Sequence, residues 1–203
     1  MNIWQVFPDV DNYWWCIFKA TEKIDGLDFI TLFSNENEDK LSEILPDKTV
    51  FYNKDRGRRG YRKLRPADIM KGDVTMLVNE KSKCLIENKY SEFFRFFSII
   101  LEDLPNEKYY IIIPLVYLEL SDYLDMENTE IKYLSDDKSK GIYKIRRYVF
   151  LEKTKGHHLF RLMYNNGKSR MFIDWYCDDE FKDFIEENNI TGLKFTKIFE
   201  FKD

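Results

Sequence analysis

The stretch "YYIIIPLVYL" at residues 109–118 constrains the fold more than any other part of the chain. It is the longest apolar run, yet it is only about half a bilayer span, and Pro114 interrupts it. A run this short, rich in Ile and Tyr, reads as a buried strand and not as a membrane segment. The run before it, "FFRFFSIIL" at 93–101, is set off by "DLPNEK", a good hairpin connection. Phe93, Phe96, Phe97 and Ile100 also recur at helical spacing, but the aromatic and β-branched content favours a strand.

Elsewhere strands follow one another. Residues 2–7, "NIWQVF", and 12–20, "NYWWCIFKA", flank the turn-prone "PDVD" and are expected to pair across it. "GLDFITLF" at 26–33 suggests a third strand, "LSEILPDKT" a short helical turn ended by Pro46, and 49–53 a brief strand. More strands are expected at 73–78, 130–134, 142–151, 158–164 and 169–174, the last two joined by the hairpin sequence "NNGKS".

Two helices have local causes. Asn79 can cap a short helix over 80–87, although Ser82 at the third helical position denies it a reciprocal capping box. "DDEFKDFIEENN" predicts a C-terminal helix over 178–189. Asp178 stands at its cap, acids fill the first turn where the helix dipole favours them, and Phe181, Phe184 and Ile185 share one apolar face. "NITG" stops that helix, and the alternating "LKFTKIFEF" closes the chain as a final strand. The fold class is therefore α+β, mostly antiparallel sheet with a few short helices. At 203 residues the chain suits a single domain. Residues 1–65 form a strand-rich N-terminal lobe in it, and residues 66–203 the α+β remainder.

Charge narrows function. The net charge of -4 is the wrong sign for a general nucleic-acid binder. It is unevenly spread, because "KDRGRRGYRKLR" at 54–65 holds seven basic residues and one acid. That is +6 in a Gly-punctuated loop, leaving -10 on the rest of the chain. Three widely spaced cysteines imply no disulfide framework and no zinc pair, and two adjacent histidines, His157 and His158, read as a solvated turn. The N-terminus has no basic region followed by an apolar core, so a cytoplasmic protein without a membrane partner is expected.

Three constellations could carry chemistry. Asp73, Glu87 and Lys89 have the order seen in metal-dependent nucleases, where two carboxylates hold a divalent cation and a lysine stabilises developing charge. That requires Glu87 and Lys89 on one face, which a strand provides and a helix denies. In the basic loop, Arg58 and Arg59 with Tyr61 interleaved could take phosphates and stack on a base, or dock an acidic partner. The acids Asp136, Asp137, Asp178, Asp179 and Glu180, with Trp175, could form a partner-binding surface; their plainer reading is turn residues, a helix start and a core-edge ring. No Ser-His-Asp set, phosphate-binding glycine loop or nucleotide fingerprint is present in the sequence, and no cofactor or metal is implied.

The C-terminal segment "SRMFIDWYCDDEFKDFIEENNITGLKFTKIFEF" resembles the closing segment of the eleventh numbered bacterial immunity-protein family of polymorphic toxin systems. Met171 to Asp174 fit its strand, Asp179 to Glu187 its short helix, and Thr191 to Phe195 its "tGLxF" turn. Upstream, "PADIM" resembles the approach to a strand and short helix, and Asp122, Asp125 and Thr129 the aspartate-rich turn after a Tyr-Tyr strand. Thr129 stands where that pattern has serine, and the basic loop has no counterpart in it. The resemblance covers about residues 66–203. It implies a protein that binds and neutralises a cognate toxin encoded by a neighbouring gene, blocking its active site without a cofactor. It also places "KSKCLIEN" on a helix, against the nuclease constellation.

Overall fold

The computed structural model describes residues 1–18, 50–54, 64–72, 75–165 and 170–202. The expected strand at 26–33, the turn ending at Pro46, most of the basic loop, Asp73 and the tip of "NNGKS" lie outside the described residues. In chain order the described strands are β1 (Asn2–Pro8), β2 (Cys16–Phe18), β3 (Val50–Asn53), β4 (Ile69–Lys71), β5 (Met76–Asn79), β6 (Phe94–Leu101) and β7 (Tyr109–Pro114). They continue with β8 (Tyr117–Glu119), β9 (Glu130–Tyr133), β10 (Ile142–Arg147), β11 (Leu159–Asn165), β12 (Arg170–Cys177) and β13 (Leu193–Glu200). The described α-helices are α1 (Glu80–Tyr90), α2 (Leu120–Tyr123) and α3 (Asp179–Glu187). The class is α+β, and α3 followed by β13 is the expected helix and final strand, with the helix a residue or two shorter at each end.

The chain divides into two compact units. One comprises Met1–Phe7, Pro114–Asn188 and Phe195–Asp203. Its five-stranded sheet runs β13-β1-β12-β11-β8. The antiparallel β11–β12 hairpin puts Arg161 opposite Trp175, and β1 lies antiparallel on the far side of β12 with Val6 opposite Trp175. β8 joins β11 in parallel. The core gathers Ile3, Leu118, Phe150, Phe160, Leu162, Tyr176 and Phe201. Full burial of rings such as Phe160 and Tyr176 contributes roughly 1.5–3 kcal/mol each. The Tyr176 hydroxyl is kept from being a buried orphan by Tyr148, whose hydroxyl lies 3.0 Å away. Helix α3 buries Phe181, Phe184 and Ile185, the face its spacing predicts.

The other unit comprises Pro8–Ile113 and Asn189–Lys194. Its sheet runs β2-β3-β6-β7-β5-β4. The apolar run that constrained the sequence reading is β7, with Tyr109 and Ile111 to Ile113 buried. β6 beside it is a strand, not the alternative helix. The β3–β6 pairing is parallel, while β2–β3, β4–β5 and β5–β7 are antiparallel.

One expected pairing is wrong. Residues 2–7 and 16–18 do form strands, but β1 belongs to the five-stranded sheet and β2 to the six-stranded one. The turn-prone segment between them does not close a hairpin, because its backbone groups are engaged elsewhere. The Asp9 amide donates to the Gly192 carbonyl at 2.8 Å, and Tyr13 and Trp15 bridge to Arg65 and Lys71.

Candidate partner-binding surfaces

The nuclease constellation does not assemble where it can be seen. Asn79 caps α1, its side-chain carbonyl accepting from the Ser82 amide at 2.9 Å, so the strand β5 passes directly into helix and "NEKSKCLIENK" stays helical. Two residues on a helix are about 200° apart around its axis, so Glu87 and Lys89 leave on different faces. Glu87 instead takes the Lys83 ammonium one turn away at 2.5 Å. Asp73 lies outside the described residues. Among the described residues no group of three or more His, Cys, Asp or Glu side chains is placed to hold a metal ion.

Arg58, Arg59 and Tyr61 likewise lie outside the described residues. The ends of their loop are described. Lys54 Nζ stands 3.3 Å and Lys71 Nζ 3.9 Å from the centroid of the Trp15 ring, and the Arg65 guanidinium is 5.6 Å from Tyr13. These cation–aromatic contacts settle basic side chains on ring faces.

The start of α3 brings together four predicted residues. Trp175 is 8% exposed, covered on β12 with Arg161 6.0 Å from its ring. Asp178 is 5% exposed and caps the helix, one oxygen accepting from the Phe181 amide at 2.9 Å and the other 2.8 Å from His158 Nδ1. His158 is thus held by a carboxylate, whereas the sequence read it as solvated. His157 packs edge-on against Tyr123 and Phe160, and burial, followed by the charge of His158, pushes its pKa below the ordinary value. Asp179 accepts from the Asn2 amide at 2.8 Å and Trp4 Nε1 at 2.7 Å. Burial pushes that carboxyl up, but these donors outweigh it and its pKa falls below the usual aspartate value. Of the four, Glu180 alone is exposed.

The sequence reading missed the continuation of this surface. Glu180, Asp183, Glu186 and Glu187 are exposed along α3, with Lys182 the only cation in the helix, spanning to Glu186 at 2.6 Å and Asp183 at 3.7 Å. The helical spacing that identified Phe181, Phe184 and Ile185 as the inner face assigns these acids to the outer one. Asp136 and Asp137 sit apart from α3, exposed in the turn between β9 and β10.

The scaffold motifs do come together. Asp68 of "PADIM" accepts from the Thr191 amide at 2.8 Å and hydroxyl at 2.7 Å with one oxygen, and from Asn79 Nδ2 at 2.8 Å with the other. The Ile69 amide donates to the Thr191 carbonyl at 3.0 Å. Gly192 has φ +102°, and a Cβ there would lie 1.8 Å from the Ile69 carbonyl oxygen. Two motifs 123 residues apart are therefore one joint, and through Asn79 it reaches the cap of α1. In the aspartate-rich turn, Asp125 accepts from the amides of Glu127 and Asn128 and from Asn128 Nδ2, which holds its carboxyl below the usual range. Thr129 fills the serine position, its hydroxyl oxygen accepting from the Val149 amide at 3.2 Å.

The family model of the Immunity protein family (Imm11) matches residues 33–200, and the chain belongs to that family. The match begins well before residue 66, where the resemblance read from the sequence began, and takes in the basic loop. No curated protein matches the chain. No helix among the described residues is long and apolar enough to cross a membrane.

Proposed function

We propose that this immunity protein binds a cognate bacterial toxin and neutralises it by covering the toxin's active site, and that the toxin is the product of a neighbouring gene. The family match over 33–200 carries the reading. The exposed face of α3 supports it physically, because four carboxylates and one lysine in two turns of helix give an anionic strip suited to a cationic catalytic cleft. Negative potential of this kind speeds encounter with such a cleft and needs no cofactor. The contact residues are Glu180, Asp183, Glu186 and Glu187 on α3, with Asp136 and Asp137 contributing separately from the β9–β10 turn. Asp178 and Asp179 hold the start of the helix in place, and Trp175 braces the strand beneath it. Arg58, Arg59 and Tyr61 of the basic loop are further contacts in this proposal, taken from the sequence alone. The chain works in the cytoplasm as one domain.

The test is to express the adjacent open reading frame in a surrogate bacterium with and without this chain and count viable cells. Rescue by the wild type, retained in a triple Asp73→Ala, Glu87→Ala, Lys89→Ala variant, is expected. Rescue should weaken when Glu180, Asp183 and Glu186 are all changed to Lys in a protein that keeps its circular dichroism. A toxic neighbour that this chain does not relieve would overturn the reading.

A further inference from the structure

Most of the sheet edges belong to the two larger sheets, but β9 and β10 stand as a sheet of two strands. Three isoleucines root this ribbon: Ile145 is buried in the core cluster, and Ile131 and Ile142 pack partly against it. Tyr133 is half-buried with its ring 6.3 Å from that of Tyr164, while Glu130, Lys132, Tyr143, Lys144, Arg146 and Arg147 are exposed. Tyr143 is 63% exposed and Leu134 55%, the highest values for large apolar side chains among the described residues. Neither is an accident of a loose loop. The ladder pairs Ile142 with Tyr133 and then Lys144 with Lys132, so Tyr143 is the extra residue of a bulge and is turned out of the sheet.

The tip is also held rigid. The Leu134 amide donates to the Gly141 carbonyl at 3.0 Å, and the Gly141 amide to the Lys138 carbonyl at 3.0 Å. The Tyr164 hydroxyl donates to that same Lys138 carbonyl at 3.1 Å, tying the turn to β11. An exposed tyrosine and leucine on a fixed frame lose little entropy on being covered, which is what a binding anchor requires.

Charge identifies what covers them. From Glu130 to Arg147 the ribbon carries Lys132, Lys138, Lys140, Lys144, Arg146 and Arg147 against Glu130, Asp136 and Asp137, a net +3 in a chain of net -4. Arg147 pairs with Glu130 at 3.5 Å, while Lys132, Lys140, Lys144 and Arg146 have no carboxylate partner among the described residues. We propose that the outward face of the β9–β10 ribbon is a docking surface for an acidic protein face, with Tyr143 and Leu134 entering an apolar hollow and the lysines meeting carboxylates around it. This rests on the immunity reading and makes the acidic face part of the toxin. A nucleic acid fits less well. Lys132 and Lys138 already stand 4.9 Å and 5.1 Å from the Tyr143 and Tyr133 rings, where bases would stack, and Asp136 and Asp137 at the tip would face phosphates.

The experiment measures affinity between the purified chain and the neighbouring-gene product, inactivated in its own active site, by calorimetry at two salt concentrations. Tyr143→Ala with Leu134→Ala should bind about thirty-fold more weakly, as loss of a binding hot spot does. Lys132→Glu with Lys144→Glu should also bind more weakly and lose part of the salt dependence. All four positions are exposed, so unchanged thermal unfolding separates lost contact from lost fold. A wild-type complex that both double variants form within about twofold overturns the ribbon and leaves the immunity reading standing. No complex with the wild type overturns both. Binding of a single-stranded oligonucleotide that the lysine variants abolish would overturn the protein partner in favour of nucleic acid.

Discussion

Gly192→Ala is the substitution that best tests the joint between the two scaffold motifs. The position has φ +102°, a conformation that costs an L residue about 1–3 kcal/mol. The new Cβ would lie 1.8 Å from the Ile69 carbonyl oxygen and 2.7 Å from the Ala67 Cβ. Real Cβ contacts stop near 3.0 Å, so the 191–193 turn must retreat by about 1.2 Å from a backbone carbonyl that cannot swing aside. That retreat stretches the Ile69 amide to Thr191 carbonyl bond, the Asp9 amide to Gly192 carbonyl bond, and the Asp68 contacts to Thr191. Two neutral bonds at about 1 kcal/mol each and a charge-assisted one at about 1.5 kcal/mol bring the loss to roughly 4.5–6.5 kcal/mol with the strain included. Domains of this kind hold about 5–15 kcal/mol, so the variant should be marginal or unfolded at room temperature. Urea unfolding followed by tryptophan fluorescence measures it, with Thr191→Ser as a control that keeps both the amide and the hydroxyl for Asp68. If Gly192→Ala unfolds within about 1 kcal/mol of the wild type, the turn is not clamped against Ile69 and the joint is misread.

Other consequences follow from the same contacts. Burial raises the Asp68 carboxyl, but its hydrogen bonds from Thr191 and Asn79 outweigh this and leave its pKa below 3.8. Its stabilisation is therefore complete above the unfolded value and lost as pH falls through the folded one, and Asp68→Asn should flatten the acid limb of a stability–pH curve between about pH 5 and 2. The opposite charge type gives a second pH window: His157 has a lowered pKa, so the neutral ring is the one that fits and stability falls as pH drops through 6.5. His157→Phe, packed against Tyr123 and Phe160, should remove that decline in thermal melts from pH 7.5 to 5.5. Asp178→Ala should cost about 1–2 kcal/mol by chemical denaturation through the lost cap, with Asp178→Ser recovering much of it.

Legibility followed sequence distance. Helix α3 was readable because its cap, its acidic first turn and its apolar face all lie within ten neighbouring residues, and α1 because Asn79 stands beside the helix it caps. The β11–β12 hairpin announced itself through its turn. β1 could not be placed, because its partner β12 begins about 160 residues later and nothing local distinguishes a strand that turns back at "PDVD" from one that does not. The Asp68 joint was visible as two separate motifs and not as one contact. On the surface, the acids at the start of α3 were found as a run, but their partners Asn2 and Trp4 lie at the other end of the chain. The ribbon cations were read only as strand residues, since Lys132, Lys144 and Arg147 are dispersed by alternation and collect only when the strands pair.

This division bears on how such a protein could be specific. Asp68, Thr191 and Gly192 are consumed in one joint, Asp125 and Thr129 in another, and Asp178 in capping α3. Side chains committed to the frame in this way are not available to discriminate between partners. On the proposed reading, the surfaces that can do so among the described residues include two of opposite sign, the carboxylates of α3 and the lysines of the ribbon. A partner that satisfies both must carry a cationic region and an acidic one. A protein with only a basic cleft would meet the α3 acids and be repelled along the ribbon, and like-charge contact of that kind discriminates as strongly as any attraction. Exchanging the signs of the two surfaces together should therefore preserve the fold and abolish protection, while reversing the ribbon alone should admit partners that the wild type rejects.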